Sequence, residues 1–284
     1  MIESIRMMKN KNDYLIIKPP SGLLNIDWNE LWKYRELLYI FAWRDIKVRY
    51  KQTVIGIAWA LFQPFVTMVI FSFFFGKLAK VSSEGVPYPI FVYSGLLFWN
   101  YFSSSLTNAS NSLIKEQNII KKVYFPRLIL PISATVTHLI DFGFSLLIMI
   151  GMMIYFKMQL SLHILYILPL LLIITTISSS GIGLFLSSVN VKYRDVRYIL
   201  PFFIQILLYL TPVIYPVSII PENIRWIMYL NPMSGVITIA RSMFLNTGNI
   251  DYMSLLVSLF ISFLYFLFGI YYFKKMEQYF ADII

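Results

Sequence analysis

The sequence predicts an all-α polytopic membrane protein of six spans, with an amphipathic helix ahead of the first span and short re-entrant helices before the last. Three observations carry that expectation. Only 13% of the 284 residues are charged while 58% are hydrophobic, whereas a water-soluble domain carries about 25% charged residues. So few solvated groups cannot cover a globular surface, and most of the outside must face lipid. The uncharged intervals recur at the length of a bilayer, and lysine and arginine gather on alternate connections.

The spans follow from the uncharged intervals. Nothing between Lys51 and Lys77 is charged, and Thr53–Gly76 exceeds the roughly 20 residues that a helix needs to cross ~30 Å of hydrocarbon. The same reading places spans at about 53–76, 88–110, 132–156, 164–189, 198–215 and 252–273. The chain thus divides into a cytosolic segment 1–29, an amphipathic helix 30–52 and a transmembrane domain 53–284. The start, through Arg6, Lys9 and Lys11, has no apolar core of a leader peptide, so no cleaved signal is expected.

Orientation comes from the basic residues. Of 24 lysines and arginines, 19 fall in segments 1–52, 111–131, 190–197 and 274–284, and five (Lys77, Lys80, Lys157, Arg225, Arg241) fall on the opposite side. Such asymmetry predicts both termini inside. It also accounts for the formal charge of +10 without nucleic acid.

Ahead of the first span, Glu30–Lys51 reads as a helix with Lys33, Glu36, Arg44, Lys47 and Lys51 on one face and Trp32, Tyr34, Leu37, Leu38, Phe41, Trp43 and Tyr50 over most of the rest. A basic stripe beside apolar and aromatic residues suits a helix lying among headgroups. Asp45 and Arg49, four apart on another face, have the spacing of an ion pair that faces protein.

The connection Asn111–Pro131 is too polar to span and too apolar for a plain linker. Leu113, Ile114, Ile119, Ile120 and Val123 line one side of a short helix that Pro126 is expected to end, which makes it a docking helix. Between Pro216 and Asp251, the apolar stretches Ile224–Leu230 and Met233–Leu245 are each too short to cross and are split at Asn231-Pro232. They read as re-entrant or interfacial helices capping a pathway, because irregular backbone at membrane depth survives only inside protein or beside a cavity.

Chemistry-bearing motifs are sparse. Without cysteine there is no disulfide framework or thiolate site, and no phosphate loop for ATP occurs. Gly181 and Gly183 lie in an apolar span, where small residues allow close helix packing. The only histidines are His138 and His163, so a hydrolytic metal centre is not expected. His138 and Asp141, placed near mid-membrane, serve either as a proton relay or substrate contact or as a hydrogen-bonded pair holding two helices. A lone acid in the spans argues against proton coupling.

At Arg44-Asp45-Ile46-Lys47-Val48-Arg49-Tyr50-Lys51-Gln52-Thr53, followed by Gly56, Trp59 and Pro64, the chain resembles the ABC-2 permeases that export O-antigen, capsule and teichoic acid polymers. Phe125-Pro126-Arg127 with Pro131, Tyr193-Arg194-Asp195, and Thr211-Pro212-Val213-Ile214-Tyr215-Pro216 before Asn231-Pro232 agree in order, from about Trp28 onward. The lead-in from Ile17 to Trp32 is most similar to the O-antigen branch.

The resemblance implies a homodimer of six-span subunits in the bacterial cytoplasmic membrane, with a channel at the dimer interface. It implies two separate nucleotide-binding subunits that hold ATP and Mg, so this chain binds no cofactor and is no enzyme. The cargo it implies is a polysaccharide on undecaprenyl pyrophosphate. By that likeness Glu30–Lys51 is an interface helix working through Arg44, Asp45, Arg49 and Tyr50. Residues 111–127 form a coupling helix, with Lys115, Glu116, Gln117, Lys121 and Lys122 meeting the ATPase. Arg44, Lys47, Arg49 and Lys51 attract the pyrophosphate, and 217–246 forms the gate, with Trp226, Asn231, Pro232 and Phe244. Channel candidates are Trp59, Phe62, Phe98, Trp99, Tyr209 and Tyr215, whose rings can meet the apolar faces of sugars. Export of small lipophilic compounds, a polyprenol-dependent glycosyltransferase and a structural assembly role are the alternatives. The first external loop offers the glycosyltransferase reading only Glu84 as a metal ligand.

Overall fold

The computed structural model describes residues 28–51, 54–159, 162–246 and 251–280, and every regular element among them is helical. The expected segment 1–29 therefore lies almost wholly outside the described residues, as do Gln52 and Thr53 at the start of the first expected span.

Helix α1 (Trp28–Lys33) turns at Tyr34 into α2 (Arg35–Lys51). Next comes α3 (Val54–Phe71), which runs on as a π-helical stretch, Ser72–Leu78. Helix α4 (Tyr88–Lys115) begins where Pro87 and Pro89, lacking amide donors, suit the first turn. It continues five residues into the connection expected at 111–131. A single turn, α5 (Gln117–Ile120), follows. The expected docking helix is thus the end of α4 plus this turn, and it stops at Ile120, well before Pro126. Leu113 and Ile120 are buried but Val123 is 59% exposed, so the anticipated apolar side is divided between core and surface.

Helices α6 (Ile129–Thr137) and α7 (Leu139–Tyr155) occupy the expected third span with a break at His138. Then come α8 (Ile164–Lys192), α9 (Val196–Leu210), a 3-10 turn at Val217–Ile219, α10 (Glu222–Met228), α11 (Pro232–Leu245) and α12 (Tyr252–Glu277). Asp251 caps α12 by accepting from the amides of Met253 (3.0 Å) and Ser254 (3.2 Å).

By length and composition four stretches can cross a membrane: Leu61–Leu78, Ile129–Tyr155, Ile164–Lys192 and Tyr252–Glu277. Two of the six expected spans fall short for different reasons. Helix α4 is long enough at 28 residues but rich in serine and asparagine, and α9 has only 15 residues, about 22 Å at 1.5 Å per residue.

Helix α4 sits at the centre, against α6, α8 and α11, and is buried along most of its length. Two apolar clusters surround it. The larger takes Ile90 to Leu106 with α7, the first half of α8 and α11; the other joins Leu113 to Phe41, Phe125, Ile129, Phe273 and Phe280. Helix α11 is short, as expected, but it is core rather than lid: from Pro232 to Ile237, and again at Ile239–Arg241 and Met243–Leu245, its residues are buried.

The non-helical stretch Thr211–Pro216 is held by side chains. Arg241 donates to the carbonyls of Tyr215 (3.0 Å) and Val213 (2.5 Å), with its guanidinium 3.8 Å from the centroid of the Phe91 ring. The Tyr88 hydroxyl donates to the Ile214 carbonyl at 2.7 Å, and the Asn231 amide donates to the Thr211 hydroxyl at 2.7 Å. Irregular backbone buried in an apolar bundle needs such partners.

The tightest crossing joins α8 to α12. A Cβ on Gly181 would lie 2.5 Å from the Phe266 Cα, so these positions admit no side chain without separating the helices. Gly181→Val is expected to lower stability by about 1–3 kcal/mol through overpacking, and to reduce the monodisperse fraction recovered by gel filtration in detergent. Gly143→Val, where a Cβ meets nothing within 4 Å, is the control that should leave it unchanged.

Candidate functional site

Helix α2 rests on α6, and its inner face carries two ionic contacts that reach opposite ends of the same region. At the first, Arg44 donates to both carboxylate oxygens of Glu116, at 2.5 and 3.0 Å, and to Asp45 at 2.9 Å. Lys115 adds a further contact to Asp45 at 3.2 Å. The forked guanidinium matches a carboxylate in this bidentate way. The Glu116 bond holds the Arg44 guanidinium above its already high range, so Arg44 stays charged.

The second contact lies one helical turn further along α2. Arg49 and the Tyr50 hydroxyl both donate to the carboxylate of Asp141 on α7. Burial, and then the bond to Asp141, raise the Tyr50 phenol, which keeps it protonated and donating. His138 at the helix break lies 2.8 Å from Asp141 through Nδ1 and 2.6 Å from the Asn108 amide of α4 through Nε2. A ring carrying its proton on Nδ1 donates to Asp141 and accepts from Asn108. His138 and Asp141 are thus bonded partners in a network that joins α2, α4 and α7. The spacing of Asp45 and Arg49 suggests an ion pair between them; Asp45 pairs with Arg44 and Lys115, and Arg49 pairs with Asp141.

Of the residues expected to meet a partner subunit, Glu116 is 8% exposed and engaged by Arg44, so it faces inward as the residue capping the C-terminal end of α4. Lys115, Lys121 and Lys122 are exposed, and Gln117 is half-buried. Lys121 and Lys122 share the loop tip with the exposed Val123 and Tyr124. This tip is braced at both bases, by Arg44 on Glu116 and by Arg127, which donates to the Glu277 carbonyl at 2.7 Å. The Tyr124 hydroxyl also reaches Glu30 at 3.1 Å.

The four cations expected near a lipid pyrophosphate are divided. Arg44 and Arg49 are tied to carboxylates, whereas Lys47 and Lys51 are exposed.

The six channel candidates are likewise separated. Trp59 and Phe62 lie together on α3, ring centroids 6.0 Å apart, and both are more than half exposed. Tyr209 is exposed at the end of α9, and the half-buried Tyr215 donates to its carbonyl at 3.1 Å. Phe98 and Trp99 are 0% and 4% exposed and belong to the core, packed on Phe142 and Phe102, so they offer no surface to a polymer. Among the gate candidates Trp226 is exposed on α10 and Asn231 caps α11, while Pro232 and Phe244 are core.

Sequence reasoning missed Asn108, Lys115–Asp45 and Glu30–Tyr124. Asn108 is one amide in a span already rich in serine and asparagine, so composition does not single it out; the other pairs link positions too distant for spacing to reveal.

Four helical stretches able to cross a membrane by length and composition, packed around a polar central helix, mark a membrane-embedded helical protein. The family model described as ABC-2 type transporter matches residues 36–245, and the chain belongs to that family. It is 31% identical over 249 residues to the O-antigen export system permease protein RfbA of Klebsiella pneumoniae, covering 88% of this chain and 95% of that protein. Similarity to RfbA of Myxococcus xanthus is 30% over 218 residues, covering 76% and 82%. The polysialic acid transport protein KpsM of Escherichia coli is more distant, at 23% over 206 residues, covering 70% and 77%.

Arg44→Glu is expected to destabilise the fold by about 2 kcal/mol, since it sets a carboxylate against the buried Glu116. The swap Arg44→Glu with Glu116→Arg should recover at least half of the loss in thermal unfolding of the purified protein. A swap no better than the single change would show that the pair does not organise this region.

Proposed function

We propose that this chain is the membrane permease of an ATP-driven exporter of polysaccharide carried on undecaprenyl pyrophosphate, acting as a homodimer with two separate nucleotide-binding subunits. The observation that carries the reading is the 31% identity to an O-antigen export permease over 95% of that protein's length. ATP and Mg belong to the partner subunits in this proposal, and the membrane is the bacterial cytoplasmic one.

Six crossings with both termini in the cytosol remain the proposed topology. Helix α4 is polar, but it is wrapped by other helices and its hydroxyls bond mostly to its own backbone, as in Thr107 to Ser103 at 2.8 Å. A wrapped, internally bonded helix can cross where a lipid-exposed one could not. Helix α9 is prolonged by the packed stretch Thr211–Pro216. The distribution of lysine and arginine supports the orientation.

In this scheme the exposed tip Lys121–Tyr124 seats in the ATPase. Displacement of the tip passes through Glu116 and Arg44 to α2, and through Arg49, Tyr50 and Asp141 to the break at His138. Arg44 and Arg49 then act as braces rather than pyrophosphate ligands, and Lys47 and Lys51 supply the attraction to the lipid headgroup. The exposed rings of Trp59, Phe62 and Tyr209 are the aromatic surface for sugars, and Trp226 with Asn231 belongs to the gate.

Deletion of the gene should abolish surface polysaccharide and leave undecaprenyl-linked polymer inside the cell; normal surface polymer would overturn the reading. Replacing both Lys121 and Lys122 with Glu should cut export about tenfold or more, roughly a 1.4 kcal/mol change or larger, at unchanged permease abundance. Wild-type export by that variant would remove the tip from the coupling path.

A further inference from the structure

We infer that a polar cavity within the protomer, between α3, α4 and α7, holds an uncharged, hydroxyl-rich glycosyl unit of the transported polymer. The inference rests on the polysaccharide reading and adds to it a binding bay inside one subunit.

The cavity has a volume of about 580 Å³ and is lined by Trp59, Gln63, Asn100, Ser104 and Asn108, with Asp141 and its partners at one end. That volume lies within the ~300–1,000 Å³ of small-ligand sites. Asn100, Ser104 and Asn108 recur every four residues on one face of α4, which presents the Asn100 amide and the Ser104 hydroxyl, while the Asn108 amide is engaged by His138 and the Ser104 carbonyl. Opposite them α3 supplies the Gln63 amide and the Trp59 ring.

The side chains of Gln63, Asn100 and Ser104 have no hydrogen-bond partner among the described residues. Only their backbone carbonyls are engaged, accepting from Thr67 (2.9 Å), Ser103 (3.3 Å) and Asn108 (3.0 Å). Gln63 is exposed and Asn100 and Ser104 are half-buried, so these groups open onto the cavity rather than being sealed in the core. Open to the cavity and not spent on the fold, their donors and acceptors are available to an occupant that both donates and accepts.

Charge selects among such occupants. Arg49, the cation at the cavity end, is ion-paired to Asp141, so the end carries no surplus positive charge for a phosphate. A carboxamide offers two donors and an acceptor, which complements neighbouring hydroxyls of a sugar. The half-exposed Trp59 ring covers an apolar C–H face. Chemistry of this kind fits a neutral pyranose, and it fits the pyrophosphate end of the same lipid poorly.

The chain has no cysteine, so single thiols report the cavity without background. S104C is labelled with a water-soluble cationic methanethiosulfonate in membranes carrying the whole transporter. One batch of cells makes the lipid-linked polymer, and in the other the first sugar transfer to the polyprenyl carrier is blocked. Labelling should proceed in the blocked cells and slow about fivefold when polymer is made, as when four-fifths of the sites are filled. S103C, which also lines the cavity, serves as a second probe should S104C assemble poorly. S178C, from a fully buried position outside the cavity, should stay unlabelled in both.

No labelling at either cavity thiol would show a closed, dry space and overturn the inference. Equal labelling with and without polymer would show a cavity filled by water only and overturn it as well. Surface polymer that survives deletion of the gene would sink the exporter reading itself. Loss of polymer on deletion with labelling indifferent to polymer would remove the glycosyl bay alone.

Discussion

In hydrocarbon a polar group has no water to turn to, and that constraint shapes this protein more than any other. Its solutions differ from place to place. Helix α4 carries many hydroxyls and amides but returns most of them to carbonyls three or four residues back and surrounds the rest with neighbouring helices. The stretch after α9 leaves helical geometry, and Arg241, Tyr88 and Asn231 restore the lost partners of its backbone and the Thr211 hydroxyl. The break at His138 exposes ring nitrogens that Asn108 and Asp141 take up. The side chains of Gln63, Asn100 and Ser104 meet the rule differently, by opening onto a cavity rather than lying sealed in the core.

The ionic contacts of α2 belong to the same constraint. Arg44 and Arg49 stand five residues apart and both point into the bundle, towards Glu116 and Asp141. One carboxylate ends a helix at a surface loop; the other begins a helix at a kink. A single rigid helix therefore links the loop to the kink through charge-assisted bonds, which constrain direction as well as distance. The exposed flank of that helix, with Tyr39, Trp43 and Val48 beside Lys47, is suited to a headgroup layer.

Much of this fold was legible in the chain because hydropathy acts along the sequence. An uncharged run between Lys51 and Lys77 specifies a helix wherever the rest of the protein lies. Composition could not foresee that α4 would run past Ser110 to Lys115, since its continuation depends on Leu113 being buried against Phe41 and Phe125. Pro126 was a plausible stop, yet the helix ended earlier, where Lys121 and Lys122 leave the protein surface. Arg44–Glu116 is separated by 72 positions, and no periodicity reports a contact of that range. Aromatic residues were the least readable of all. Trp59 and Trp99 look alike in a hydrophobic run, and only packing tells the exposed ring from the core one.

The glycine contact between α8 and α12 has a mechanical consequence. With the backbone at Gly181 and Gly269 locked together and Phe266 and Ala109 close by, neither helix can slide past the other without a ridge climbing over a backbone. The two helices move as one stator. Any relative motion in the bundle is left to elements without such a lock, such as α3 and α9, whose outer faces carry the exposed rings of Phe65, Phe202 and Phe203.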